Sequence, residues 1–121
     1  MKNIVLRKLK DSEEDYILLN KWCSQKEIYE HFEQRILSLE EIKKKYYVRT
    51  LKDASVLVYI IEYNKVPIGI IQYQLVSDEN KKLYKIDKDI CYEIDIFIGE
   101  LDYHNKGIGK NTIEMLGNYL F

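Results

Sequence analysis

The spacing of apolar positions changes along the chain, and each change marks an element. NIVLRKL, residues 3–9, alternates apolar with polar and predicts a half-buried strand. Asp11 or Ser12 is placed to cap a helix, with Glu13, Glu14 and Asp15 in a first turn where the helix dipole favours acids. Tyr16, Leu18, Leu19 and Trp22 give that helix an apolar face. Ser24 is placed to cap a second short helix carrying Ile28 and Phe32. Ser38 and Glu41 have capping-box spacing and predict a third helix.

After Asp53 the period falls to two. SVLVYIIEY is β-branched and aromatic and predicts a strand. Asn64-Lys65 suits a tight turn, and PIGIIQYQLV follows as the antiparallel partner. Pro67 is tolerated at a strand start, while Gly69 inside the strand predicts a bulge or a close backbone approach. Residues 77–89 are charged and predict a loop or hairpin tip. ICYEIDIFIG, residues 90–99, predicts another strand, with Glu93 and Asp95 on one face and Ile94, Ile96 and Ile98 on the other. A final helix opens near Gly109, with Ile108, Thr112, Met115, Leu116, Tyr119 and Leu120 as its buried stripe. The order is strand, helices, three strands, helix: a mixed α/β fold with a largely antiparallel sheet, in one domain over residues 1–121. The chain then stops at GNYLF with no later element to cover that helix, as if the last strands were missing.

Composition narrows the function classes. At 121 residues and 46% apolar, the chain is long enough for a modest core and too apolar for disorder. A formal charge of −1 provides no broad basic field for nucleic acid. Lys43, Lys44 and Lys45 read as a solvated helix face, since Glu40 and Glu41 flank them. Cys23 and Cys91 form no CxxC pair and join no metal-spaced cluster, so each is expected as a buried thiol, with no metal. No signal peptide or membrane-length apolar run is seen, which suits a soluble cytoplasmic protein. The eleven tyrosines are either a compositional bias or aromatic walls for a polar pocket.

The candidate chemistry lies in HNKGIG, residues 104–109. Glycines let backbone N–H groups turn inward and approach a ligand, and the following helix aims its positive end at the same place. A pyrophosphate is the natural occupant, although Gly-x-Gly before a helix also arises as a plain turn. The third glycine of a dinucleotide fingerprint is absent. A Walker loop is excluded too, because Asn111 follows Gly109-Lys110 and no glycine stands five before Gly109.

The segment resembles the coenzyme A loop of the GNAT superfamily of acetyltransferases, whose pattern is (Gln/Arg)-x-x-Gly-x-(Gly/Ala). Gly107 and Gly109 match it, and His104 stands where Gln or Arg is usual. IIEYNKVPIG, IDIFIGE and YHNKGIG, in that order, are similar to the aminoglycoside 6′-N-acetyltransferase branch. The resemblance implies acetyl-CoA as cosubstrate and a small-molecule amine, such as a polycationic aminoglycoside, as acceptor. It implies that backbone groups of Ile96, Phe97 and Ile98 pair with the pantetheine arm. The amides of Lys106, Gly107, Ile108, Gly109 and Lys110 would hold the pyrophosphate, with His104 beside them.

Asp95 is the leading catalytic candidate. It precedes FIG, where that branch carries an acid, and an acid within an apolar strand costs free energy unless paired or exposed. Glu93 shares its face and would attract a cationic substrate. Trp22 and Tyr73 are taken as substrate walls, with Tyr29, Glu62, Gln74 and Asp102 as further wall candidates, and His31 as a surface residue. In the superfamily a fifth strand and its helix complete the coenzyme site and often bring a tyrosine for the leaving thiolate. Without them the alternative is a non-catalytic fragment that binds coenzyme A or a partner, and a homodimer through the uncovered last helix.

Overall fold

A computed structural model describes residues 3–32, 35–83, 85, 91–104 and 106–120. The elements are β1 (Ile4–Lys8), α1 (Glu13–Cys23), α2 (Lys26–Phe32), α3 (Leu39–Tyr47), β2 (Leu57–Tyr63), β3 (Val66–Leu75), α4 (Asp78–Leu83), β4 (Tyr92–Ile98) and α5 (Ile108–Leu120). A single 3-10 turn, Leu101–Tyr103, lies between β4 and α5. The strands form one antiparallel sheet in the order β1-β2-β3-β4.

Local chemistry sets the element ends. The Ser12 hydroxyl accepts from the Asp15 N–H and caps α1, and Ser38 and Glu41 form a complete capping box on α3. Asn64 and Lys65 both adopt positive φ, 50° and 67°, as a two-residue hairpin between twisted strands requires. Asp15 is more than a first-turn acid. It is 3% exposed and accepts from both Arg7 terminal nitrogens, at 2.9 and 3.0 Å, and from the Lys10 N–H at 2.8 Å. This bidentate pair fixes α1 to β1.

Alternation along the strands builds two cores. Val58, Ile60, Ile70 and Phe97 face Leu19, Trp22, Ile28, Ile42 and Tyr46 of α1–α3. Ile61, Ile68, Ile71 and Tyr73 face Ile108 and Leu116 of α5. Both expectations for Gly69 hold. Ile61 pairs with Gly69 but Glu62 with Pro67, so Ile68 is the extra residue of a bulge. A Cβ on Gly69 would stand 2.1 Å from the Phe97 carbonyl oxygen. The bulged Ile68 carbonyl accepts from Gly99 N–H at 2.6 Å and Glu100 N–H at 3.1 Å, which ties down the end of β4.

Four expectations change. Ser24 does not cap α2. It closes α1, its N–H and hydroxyl both donating to the Asn20 carbonyl. The charged stretch after β3 contains α4, begun where the Ser77 hydroxyl accepts from Asn80 N–H, while residues 84 and 86–90 lie outside the described set. Cys23 is buried but Cys91 is partly exposed. Tyr119, expected in the α5 stripe, is 74% exposed.

Candidate active site

The glycine loop borders a cleft of about 570 Å³. Its other wall is α2, through Glu27, Ile28, His31 and Phe32, and its floor is the end of β4. Gly107 has φ +75°, a conformation that strains any residue with a Cβ, and its carbonyl accepts the first α5 hydrogen bond, from Asn111 N–H at 3.1 Å. Among the described residues, the N–H groups of Ile108 and Lys110 meet no carbonyl one turn back, since they precede the helical ladder. A Cβ on Gly109 would meet no packed neighbour within 4 Å among the described residues, so packing against them does not require this glycine. It leaves open room beside donors at the positive end of a 13-residue helix. Ile108 is buried and anchors the helix, while Lys106 and Lys110 are exposed at the rim. The Lys106 ammonium lies 5.9 Å from the centre of the Tyr103 ring. His104 bends back, its Nε2 donating to the Ile98 carbonyl at 2.6 Å.

Ladder alternation decides which β4 backbone groups face this cleft. Val76 N–H donates to Cys91 O at 2.8 Å, and Gly99 N–H to Ile68 O at 2.6 Å. Odd-numbered residues thus turn their backbone toward β3, and even-numbered ones turn theirs to the open edge. Ile96 turns its backbone to the open edge, and so does Ile98, whose carbonyl already accepts from His104. Phe97 does not: its backbone is directed at Ile70 and its side chain is buried among Trp22 and Phe32.

Asp95 faces the helical side of the sheet and lines a second cavity of about 490 Å³. His31, Phe32, Ile96 and Phe97 border both spaces, so the two meet at the middle of β4. Gln72 Nε2 donates to Asp95 Oδ2 at 3.4 Å, and Gln72 Oε1 accepts from Arg49 Nη1 at 2.9 Å. Tyr46 is buried beneath, its ring centre 5.0 Å from the Arg49 guanidinium carbon and 5.2 Å from Lys45 Nζ. Burial pushes the Tyr46 phenol above its ordinary range. Burial, then Arg49, pushes the Lys45 ammonium down.

Glu93 lies exposed on the same face, bonded to Gln74 at 2.8 Å. The two expected aromatic walls are elsewhere. Trp22 is 0% exposed, beneath Gly99, and its Nε1–H donates to Glu100 at 3.0 Å. Tyr73 points to the opposite face, stacked on Tyr59 with ring centres 6.2 Å apart, and burial pushes its phenol up to about 12. Among the further wall candidates, Glu62 is an ion-pair partner of Arg7 and Asp102 is exposed in the 3-10 turn. A larger hollow, about 810 Å³, lies between α1 and α3 and is rimmed by the Lys43–Glu13 ion pair. Among the described residues, no three His, Cys, Asp or Glu side chains gather as a metal site, and no helix is long and apolar enough to cross a membrane.

An acid, an adjoining cleft and a glycine-opened helix start now stand together. A family model described as the acetyltransferase (GNAT) domain matches residues 11–121. The chain belongs to this acetyltransferase family. Solved structures agree on the fold. The GNAT chain is similar to aminoglycoside acetyltransferase AAC(6')-Ib in complex with coenzyme A, at TM-score 0.76 and 23% identity, over 98% of this chain and 67% of that one. It is similar to AAC(6')-Ib with paromomycin and acetyl-CoA at TM-score 0.78 and 24% identity, over the same shares. A possible acetyltransferase from Clostridium difficile 630 matches at TM-score 0.67 and 15% identity, over 96% of this chain and 70% of that chain.

Within this GNAT domain, sequence reading missed Lys45, Tyr46, Arg49 and Gln72 as neighbours of Asp95. Gln72 had a usable signal. Strand alternation puts it on the face opposite Tyr73, and the pairing of β3 with β4 sets it across from Asp95.

Proposed function

We propose that this chain transfers an acetyl group from acetyl-CoA to an amine. The observation that carries the reading is that Asp95 lines a cavity sharing His31, Phe32, Ile96 and Phe97 with the cleft under the glycine loop. The loop residues fit a pyrophosphate: backbone donors precede α5, Gly107 supplies the left-handed turn, and Gly109 leaves the approach open. Ile96 and Ile98 offer edge groups to an extended arm. When bound, acetyl-CoA supplies the activated thioester.

Asp95 takes one proton from the incoming ammonium and frees its lone pair. The C–N bond forms as the C–S bond breaks. The nitrogen gives up a second proton as the thiol forms, so one proton is released overall. Glu93 and Asp95 support a cationic acceptor. Aminoglycosides, the compounds named with AAC(6')-Ib, are one such class. The experiment is calorimetric titration with acetyl-CoA beside Gly107→Asp, followed by a thiol-release screen over amines beside Asp95→Asn. Saturable heat lost in the first variant and release lost in the second support the reading. A folded chain that gives no heat with acetyl-CoA overturns it.

A further inference from the structure

Asp95 and Glu93 lie on one face of β4, and their settings differ in a single side chain. Each acid stands opposite a glutamine in the β3–β4 ladder, Asp95 opposite Gln72 and Glu93 opposite Gln74. Each glutamine donates its amide N–H to the acid, Gln72 at 3.4 Å and Gln74 at 2.8 Å. Behind Gln72 stands Arg49, whose Nη1 donates to the amide oxygen at 2.9 Å. Among the described residues, no arginine does the same for Gln74. An amide accepts at one end and donates at the other, whereas a guanidinium only donates. With its oxygen fixed on Arg49, the Gln72 amide has its NH2 aimed across the ladder at Asp95 Oδ2. Arg49 is fixed in turn: its backbone N–H donates to the Tyr46 carbonyl at 2.9 Å, and its guanidinium carbon lies 5.0 Å from the centre of the buried Tyr46 ring. The opposite charges of Arg49 and Asp95 polarise the amide between them in one sense. The two contacts also differ in length. At 2.8 Å Glu93 is committed to its donor, while at 3.4 Å Asp95 is held with accepting capacity to spare, as a base requires.

We infer that Arg49 and Gln72 are a positioning pair for the base. Arg49 fixes the Gln72 amide, the amide holds Oδ2 of Asp95, and Oδ1 is left to meet the incoming ammonium. The pair also tells the two acids apart: it makes Asp95 the base and leaves Glu93 to attract the acceptor. This rests on the acetyl-transfer reading only for what Asp95 does once it is held.

The test has a structural arm and a kinetic arm. In NMR spectra of the full chain without acetyl-CoA, NOEs are expected from the Gln72 Nε2 protons to the Asp95 Hβ protons. They should vanish in Arg49→Met, return in part in Arg49→Lys, and leave the matching NOEs from Gln74 to Glu93 unchanged throughout. Their absence from the native chain overturns the inference before any variant is made, and their persistence in a folded Arg49→Met does so as well. The kinetic arm is thiol release from acetyl-CoA with the best amine of the screen. In Arg49→Met and in Gln72→Leu, kcat should fall about tenfold, as loss of one charge-assisted hydrogen bond supplies, with KM changed by less than about threefold. The double variant should be no slower than either single one, because Arg49 acts through Gln72. Losses that multiply in the double variant overturn the inference. The expected NOEs without thiol release from any amine support the positioning pair and count against acetyl transfer, whereas thiol release that neither variant slows overturns the positioning pair alone.

Discussion

The two spaces that meet at β4 are built from different material. The cleft under the glycine loop draws on backbone: N–H groups at the start of α5, a glycine at φ +75°, and the outward edge of β4. The cavity beside Asp95 is mostly side chain: Asp95, Gln72, Arg49, Lys45 and Tyr46, drawn from three elements and the turn after α3. A backbone site tolerates most substitutions and fails where a Cβ is added. A side-chain site can change specificity one residue at a time while the fold stays put.

The largest expected effect would separate the two spaces outright. Asp95→Asn should lower turnover by about a hundred- to ten-thousandfold, the usual range for a lost general base, with acetyl-CoA heat unchanged. Stopped-flow thiol release and calorimetry on the same preparation check both halves. Gly107→Val should do the reverse. The left-handed conformation costs a branched residue about 1–2 kcal/mol, so the melting temperature drops and acetyl-CoA binding weakens about tenfold. Acceptor binding measured by NMR should not move.

Gly109→Ala sharpens the contrast further. Among the described residues, no packed neighbour stands within 4 Å of the new methyl, and alanine suits a helix better by about 0.5–1 kcal/mol. The protein should therefore melt slightly higher while binding acetyl-CoA less well. A variant that is more stable and binds equally well would show that the loop is a plain turn.

The smallest effect concerns the tether between α1 and the end of β4. The Lys21 ammonium, then the Trp22 indole N–H, holds the Glu100 carboxyl below its ordinary value. A carboxyl lowered by folding contributes stability above its unfolded pKa, about 4.3, and loses it as pH falls through the folded value. Exposed at one side, it should contribute within about 1 kcal/mol. Melting curves recorded downward from pH 5 should show this loss, and Glu100→Gln should flatten it.

The elements around the glycine loop were readable in sequence because they are contiguous: a strand, a turn, two glycines and a helix within residues 92–120. The sheet was readable because alternation is local. The cavity beside Asp95 joins residues 46, 49, 72 and 95, which only tertiary pairing brings together. Trp22 was misplaced because the period of a helix shows that a face is apolar, not what covers it. The cover is the close approach of Gly99, where a Cβ would lie 2.1 Å from the indole. Phe97 was misassigned because a strand motif does not say which of its carbonyls are already taken.

The same indole has a practical use. It is the only tryptophan among eleven tyrosines, so excitation at the red edge of the absorption band addresses one known position. That position packs edge-on against Phe97, whose ring also touches Phe32 of α2. The protein thus carries a native fluorophore two rings away from the helix that walls both chambers, and shifts in its emission can report movement of that wall without any label.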